Sequence, residues 1–155
     1  KGLVSGNTSF KQKHWNALTY KNRCKDNFNS YFKFTFVRNP WDWAVSAFEW
    51  FTKARGVHNV TFFEYVRSKK NRMGFNRWMC DLDGKNLIDF IGKFENLQED
   101  FNIVCDKIGI EQRELMHFNK IERKHYTEYY DEETRELVAD KFKEDIENFG
   151  YEFGK

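Results

Sequence analysis

The sequence predicts an α/β domain with a mainly parallel sheet. Two strand-like runs, "YFKFTFV" (31–37) and "NLIDFIGKF" (86–94), are separated by longer stretches whose apolar residues recur at helical spacing. At Arg38-Asn39-Pro40 the apolar period changes abruptly, from strand to helix. Each long periodic stretch also ends in glycine, at Gly56, Gly109 and Gly150, as helices commonly do.

In chain order, "KQKHWNALTYKNR" (11–23) places Trp15, Leu18 and Tyr20 near helical spacing and predicts a short amphipathic helix. Residues 31–37 alternate around Lys33 and Thr35 and are otherwise aromatic or β-branched, the composition of a strand. Pro40 suits the first turn of the next helix, where its missing N–H costs nothing. That helix runs through "WDWAVSAFEWFTKAR", with Trp41, Trp43, Trp50 and Phe51 expected in the core. "TFFEYVRSKKNR" (61–72) predicts another helix, capped by Thr61. Asp83-Gly84 signals a hairpin joining "RWMCDL" to the strand at 86–94. Leu97, Phe101, Val104, Cys105 and Ile108 then form one helical stripe. After the irregular, basic "HFNKIERKHYTEYY", Asp131 caps a single long helix that closes at Gly150.

With 155 residues and no linker or repeat, residues 1–155 form one domain. Its 26 basic and 24 acidic residues nearly balance, so no global field favours nucleic acid, and no recognisable DNA or RNA motif is present. No apolar run is long enough to predict a membrane span. Cys24, Cys80 and Cys105 lie far apart without histidines at ligand spacing, which predicts reduced thiols and no metal site. The N-terminal residues lack a secretory layout. The expected location is therefore cytoplasmic, in a bacterial or viral setting.

Ligands of open α/β sheets bind beyond the carboxyl ends of the strands. A helix that starts there offers free N–H groups and the positive end of its dipole to an anion. Arg38 stands at such a junction with a permanently charged donor fork, and Ser46 follows two turns into the helix. The pair points to anion binding.

"FVRNPWDWAVSAF" resembles the 3′-phosphate-binding motif of sulfotransferases that use 3′-phosphoadenosine 5′-phosphosulfate (PAPS). There a strand ends in Arg-Asp/Asn-Pro and a serine follows eight residues after the arginine, as Ser46 follows Arg38. "LIDFIGKFENLQEDFNIVCDKIGI" and "HYTEYYDEETRELVADKFKEDIENFGYEF" are similar to later segments of the carbohydrate-type enzymes. The resemblance implies a three-layer, P-loop nucleotide-kinase-like fold, and sulfuryl transfer from PAPS to a hydroxyl, on a carbohydrate acceptor. It implies that Arg38 and Ser46 hold the 3′-phosphate, with Arg123 or Lys124 of "KIERKHY" (120–126) folding over it. His14, in "KQKHWNAL", stands where related uronyl sulfotransferases carry a catalytic base, and imidazole suits that role near neutral pH. Glu95 reads as structural.

The sequence departs from the family pattern in two places. Trp43 stands where the motif often carries a second arginine. The Pro-Lys-x-x-Gly-Thr-Ser loop that cradles the 5′-phosphosulfate has no recognisable counterpart, and "VSGNTSF" (4–10) reads as a chance likeness. The expectation is a domain lacking the N-terminal strand–loop–helix, with an unpaired sheet edge through which two copies pair. The alternative function is a catalytically inactive binding or assembly module of the same fold.

Overall fold

A computed structural model describes residues 15–68, 74–116 and 122–155. Helix α1 (Ala17–Cys24) is capped by Asn16, whose Oδ1 accepts from the Thr19 N–H at 2.9 Å. Residues 11–14 of the expected helix lie outside the described residues, and α1 begins at the Asn16 cap, which supplies the acceptor that the first turn needs. A 3₁₀ turn (Lys25–Ser30) leads into strand β1 (Phe34–Val37). Helix α2 (Pro40–Arg55) follows two residues later, with Pro40 in its first turn and Gly56 at φ 64° beyond its end.

Thr61 caps α3 (Phe62–Ser68) as expected, and Glu64 makes the cap reciprocal. Thr61 Oγ1 accepts from the Glu64 N–H at 3.2 Å, and Glu64 Oε2 accepts from the Thr61 N–H at 2.8 Å. Residues 69–72 of that expected helix lie outside the described residues. Instead of the first arm of a hairpin, "RWMCDL" contributes α4 (Phe75–Met79) and one antiparallel bridge from Cys80 to Asn86. The Asp-Gly turn does form, but only that single residue pair closes across it. Asp81 Oδ1 instead satisfies the Asp83 and Lys85 N–H groups inside the loop.

Strand β2 (Phe90–Lys93) pairs in parallel with β1, in the register Phe34–Phe90 through Val37–Lys93. Gly92 is required there. A Cβ at this position would lie 2.7 Å from the Phe36 ring and 2.9 Å from Asp100 Cβ. This close approach presses α5 (Leu97–Ile108) against one sheet face, while Val37 on the other face joins the main core.

Asp131 caps α6 (Glu132–Lys141), but the expected long helix breaks at Phe142 and resumes as α7 (Lys143–Phe149). The Phe142 ring is buried against Trp43, and the break lets it turn inward. The main core joins α2, α3, α6 and the 3₁₀ turn Tyr126–Tyr129 through Trp41, Val45, Phe62, Val66, Tyr126 and Val138. Ala17, Phe28 and Leu87 form a second, small core under α1. Trp41 is buried as predicted, but Trp50 is 49% exposed, with Arg55 over its ring. Among the described residues no helix is long and apolar enough to cross a membrane.

Candidate functional site

The junction between β1 and α2 is built around Asn39, which is only 2% exposed. Its Oδ1 accepts from the Trp41 and Asp42 N–H groups at 3.0 and 3.4 Å, and its carbonyl accepts from Trp43 at 2.8 Å. Pro40 has no N–H to offer. The first turn of α2 is thus satisfied by the chain itself, which corrects the expectation of free backbone N–H groups for an anion. Asn39 Nδ2 donates to the Glu152 and Lys155 carbonyls at 3.2 and 3.3 Å, so the same side chain moors the C-terminal segment. Glu95 is structural, as expected. It accepts from the Asn39 N–H at 2.6 Å and from the Tyr151 hydroxyl at 3.3 Å.

The charged groups at this junction belong to side chains. Arg38 lies with its Cζ 4.2 Å from the centre of the Phe94 ring, which fixes the guanidinium plane. Its Nε and Nη2 reach Asp42 Oδ2 at 2.7 and 2.6 Å, and its Nη1 donates to Ser46 Oγ at 3.2 Å. Arg123, 81 residues beyond Asp42 in sequence, donates through Nη2 to the other oxygen, Asp42 Oδ1. Both arginines and Asp42 are four-fifths buried at the side chain.

Arg123 is carried by residues 122–129, which lie along the polar face of α2. There Asp42, Ser46, Glu49 and Lys53 follow one another at helical spacing. Lys53 Nζ donates to the Glu122 carbonyl at 3.1 Å and lies 2.7 Å from Glu49 Oε2. The Tyr129 hydroxyl donates to Glu49 Oε1 at 2.7 Å. Burial works to raise the Glu49 carboxyl, but the Lys53 and Tyr129 hydrogen bonds and the Lys53 and Arg123 charges outweigh it. The group sits below the usual carboxylate range. Burial and this carboxylate push Tyr129 up to about 12.

Beside Arg38 a cleft of about 280 Å³ runs along Thr35–Val37 of β1. Its walls are largely aromatic, with Trp43, Phe75 and Trp78 prominent. Asp145 supplies a carboxylate there, and burial raises it above its ordinary range although the Phe75 N–H donates to it at 2.7 Å. Among the described residues no cluster of His, Cys, Asp and Glu is arranged to hold a metal ion.

The structure thus brings Arg38, Ser46 and Arg123 together. Lys124 is exposed and lies outside this network, and His14 lies outside the described residues. Sequence reasoning missed Asn39, Asp42 and Asp145. Asn39 had a signal, since an asparagine before a helix-starting proline is a cap signature. Asp42 had none, because its second arginine is distant in sequence.

The fold thus gathers two arginines and a serine at one strand-to-helix junction. This chain belongs to the sulfotransferase family, whose model matches residues 5–152. An uncharacterized protein of Archaeoglobus fulgidus is 36% identical over 98 residues, covering 61% of this chain and 82% of the relative. No solved structure matches the chain significantly.

Proposed function

We propose that this chain binds PAPS and transfers its sulfuryl group to a hydroxyl of a carbohydrate acceptor, on a P-loop nucleotide-kinase-like fold. The carrying observation is the convergence of Arg38, Ser46 and Arg123 at the start of α2. Two guanidiniums, one hydroxyl and one carboxylate leave a net charge of +1 and several N–H donors, a set that fits a phosphate. Arg38, Ser46 and Arg123 would hold the 3′-phosphate, with Lys124 a peripheral contact from the exposed part of the same segment. The cleft beside Arg38 has aromatic walls against which a sugar ring can stack, and Asp145 is an acceptor for its hydroxyls.

PAPS supplies an activated sulfuryl group when bound. The acceptor oxygen attacks sulfur in line, the bond from sulfur to the bridging oxygen breaks, and adenosine 3′,5′-bisphosphate leaves. His14 takes the acceptor's proton. The chain's own contribution at Arg38 and Arg123 is fixed charge, oriented before the ligand arrives.

Calorimetric titration with adenosine 3′,5′-bisphosphate tests the reading. The expected result is micromolar binding that Arg38→Ala weakens by about ten-fold or more, the cost of one charged hydrogen-bonding group. Binding by neither protein, both folded, would overturn it. Sulfuryl transfer from PAPS to a carbohydrate, abolished by His14→Ala without loss of bisphosphate binding, completes the test.

A further inference from the structure

We infer that Asp42 is the positioning residue of this anion site. One carboxylate orients two arginines from distant parts of the chain into a single clamp. The inference rests on the anion-binding reading above, but not on the identity of the anion.

Three features of the geometry support it. Arg38 and Arg123 carry like charges into one partly buried place, and without an intervening anion they would repel each other. Asp42 has one oxygen on each, so it permits the pair and fixes the spacing. Next, Asp42 takes the Nε–Nη2 edge of Arg38 and leaves the Nη1–Nη2 end. Ser46 Oγ lies 3.2 Å from Nη1 at that end, so hydroxyl and guanidinium face the same space. An anion is received there without displacing the carboxylate. Finally, Asp42 itself is held: its backbone N–H lies under the Asn39 cap, in the first turn of a helix whose start is fixed from three directions.

Arg123 is the member that depends most on this arrangement. It sits on an irregular segment, and a long side chain there must otherwise be ordered when the ligand binds. The Asp42 contact orders it beforehand. The Glu49–Tyr129 and Lys53–Glu122 bonds hold the backbone of the same segment against α2, but neither aims the guanidinium.

The test is a titration series on Asp42→Asn, Arg123→Ala and the double variant, with thermal melting to verify the fold. Three probes are used: adenosine 3′,5′-bisphosphate, adenosine 5′-monophosphate and inorganic sulfate. The expected result is a ten- to hundred-fold loss of bisphosphate affinity in Asp42→Asn, about the worth of one charged hydrogen bond. Monophosphate affinity, which does not use the 3′ site, should stay near the parent value. Arg123→Ala should add little on top of Asp42→Asn, because the two act as one unit. Asp42→Glu should recover part of the loss.

Tighter binding by Asp42→Asn would mean that the carboxylate competes with the ligand, and would overturn the inference. Unchanged bisphosphate affinity would reduce Asp42 to a structural ion pair, with the same consequence. If the parent chain binds sulfate but not the bisphosphate, the PAPS reading falls, and the sulfate series still decides the role of Asp42. If it binds none of the probes, both readings fall.

Discussion

The two faces of α2 are held by different forces. One face carries Trp41, Ala44, Val45 and Phe48 into the main core, where Val45 is fully buried. The other carries Asp42, Ser46, Glu49 and Lys53 under residues 122–129, joined by ion pairs and hydrogen bonds. Apolar burial is non-directional and scales with area, so the first face fixes where the helix lies. Charged hydrogen bonds are directional and fail when one donor moves, so the second face fixes how the helix presents its cations. The division predicts that stability follows volume on one face, and that ligand affinity follows charge on the other.

Trp41→Ala should break the first face with the largest effect in the molecule. The indole is 5% exposed, packs edge-on against Phe153 at 5.7 Å, and donates to the Arg135 carbonyl at 3.1 Å. Truncation of a buried aromatic of this kind costs about 3–5 kcal/mol, which urea unfolding would register directly. A loss below ~1 kcal/mol would mean that α2 is anchored by its polar face after all, and the contrast would collapse.

Asn39→Ala attacks the point where the two faces meet. It removes the cap of α2 and the side-chain donor to the Glu152 and Lys155 carbonyls, of which Glu152 keeps the Lys155 N–H at 3.4 Å. The expected cost is about 1–3 kcal/mol, from a lost cap and buried groups left unpaired. Asn39→Asp sharpens the result. It keeps the acceptor for Trp41 and Asp42 but cannot donate, and it sets a second carboxylate beside Glu95. If the aspartate variant is as stable as the parent, the cap alone matters. If it costs as much as alanine or more, the mooring of the C-terminal segment and the repulsion from Glu95 carry the effect.

Legibility in the sequence follows the same division. Features set by neighbours along the chain were readable: the strand at Phe34–Val37, the caps at Thr61 and Asp131, and the stops at Gly56 and Gly109. The serine paired with Arg38 was readable because Ser46 follows Arg38 by eight residues, the spacing of the motif this segment resembles. Whatever depends on distant residues was not. The break at Phe142 follows from a ring contact with Trp43, and no proline or glycine marks it. The hairpin expected at 77–94 became α4 and one bridge because Asp81 satisfies the turn internally. Arg123 was suspected from its basic neighbourhood, but its counter-ion Asp42 was hidden. An acidic residue in a first helical turn is ordinary, and only the fold brings residue 123 to it.

Glu49 offers the finest probe of the comparison, because it lies buried on the polar face and titrates. Its carboxyl sits below the usual range in the folded protein, so the folded state binds its proton more weakly than the unfolded chain does. Its contribution is therefore complete above the ordinary carboxylate value, near pH 4.5, and is lost as pH falls through the lower folded value. Glu49→Gln keeps the shape and removes that titration. The variant should be less stable than the parent by about 1 kcal/mol at pH 7, the net worth of a typical internal hydrogen bond. The gap should narrow as the pH falls below the ordinary carboxylate value and through the lower folded one, where the parent carboxyl also becomes neutral. Urea midpoints measured from pH 3 to 7 would show the convergence. A gap that stayed constant across that range would place the Glu49 contribution in packing, and would make the polar face of α2 more like the apolar one than its charges suggest.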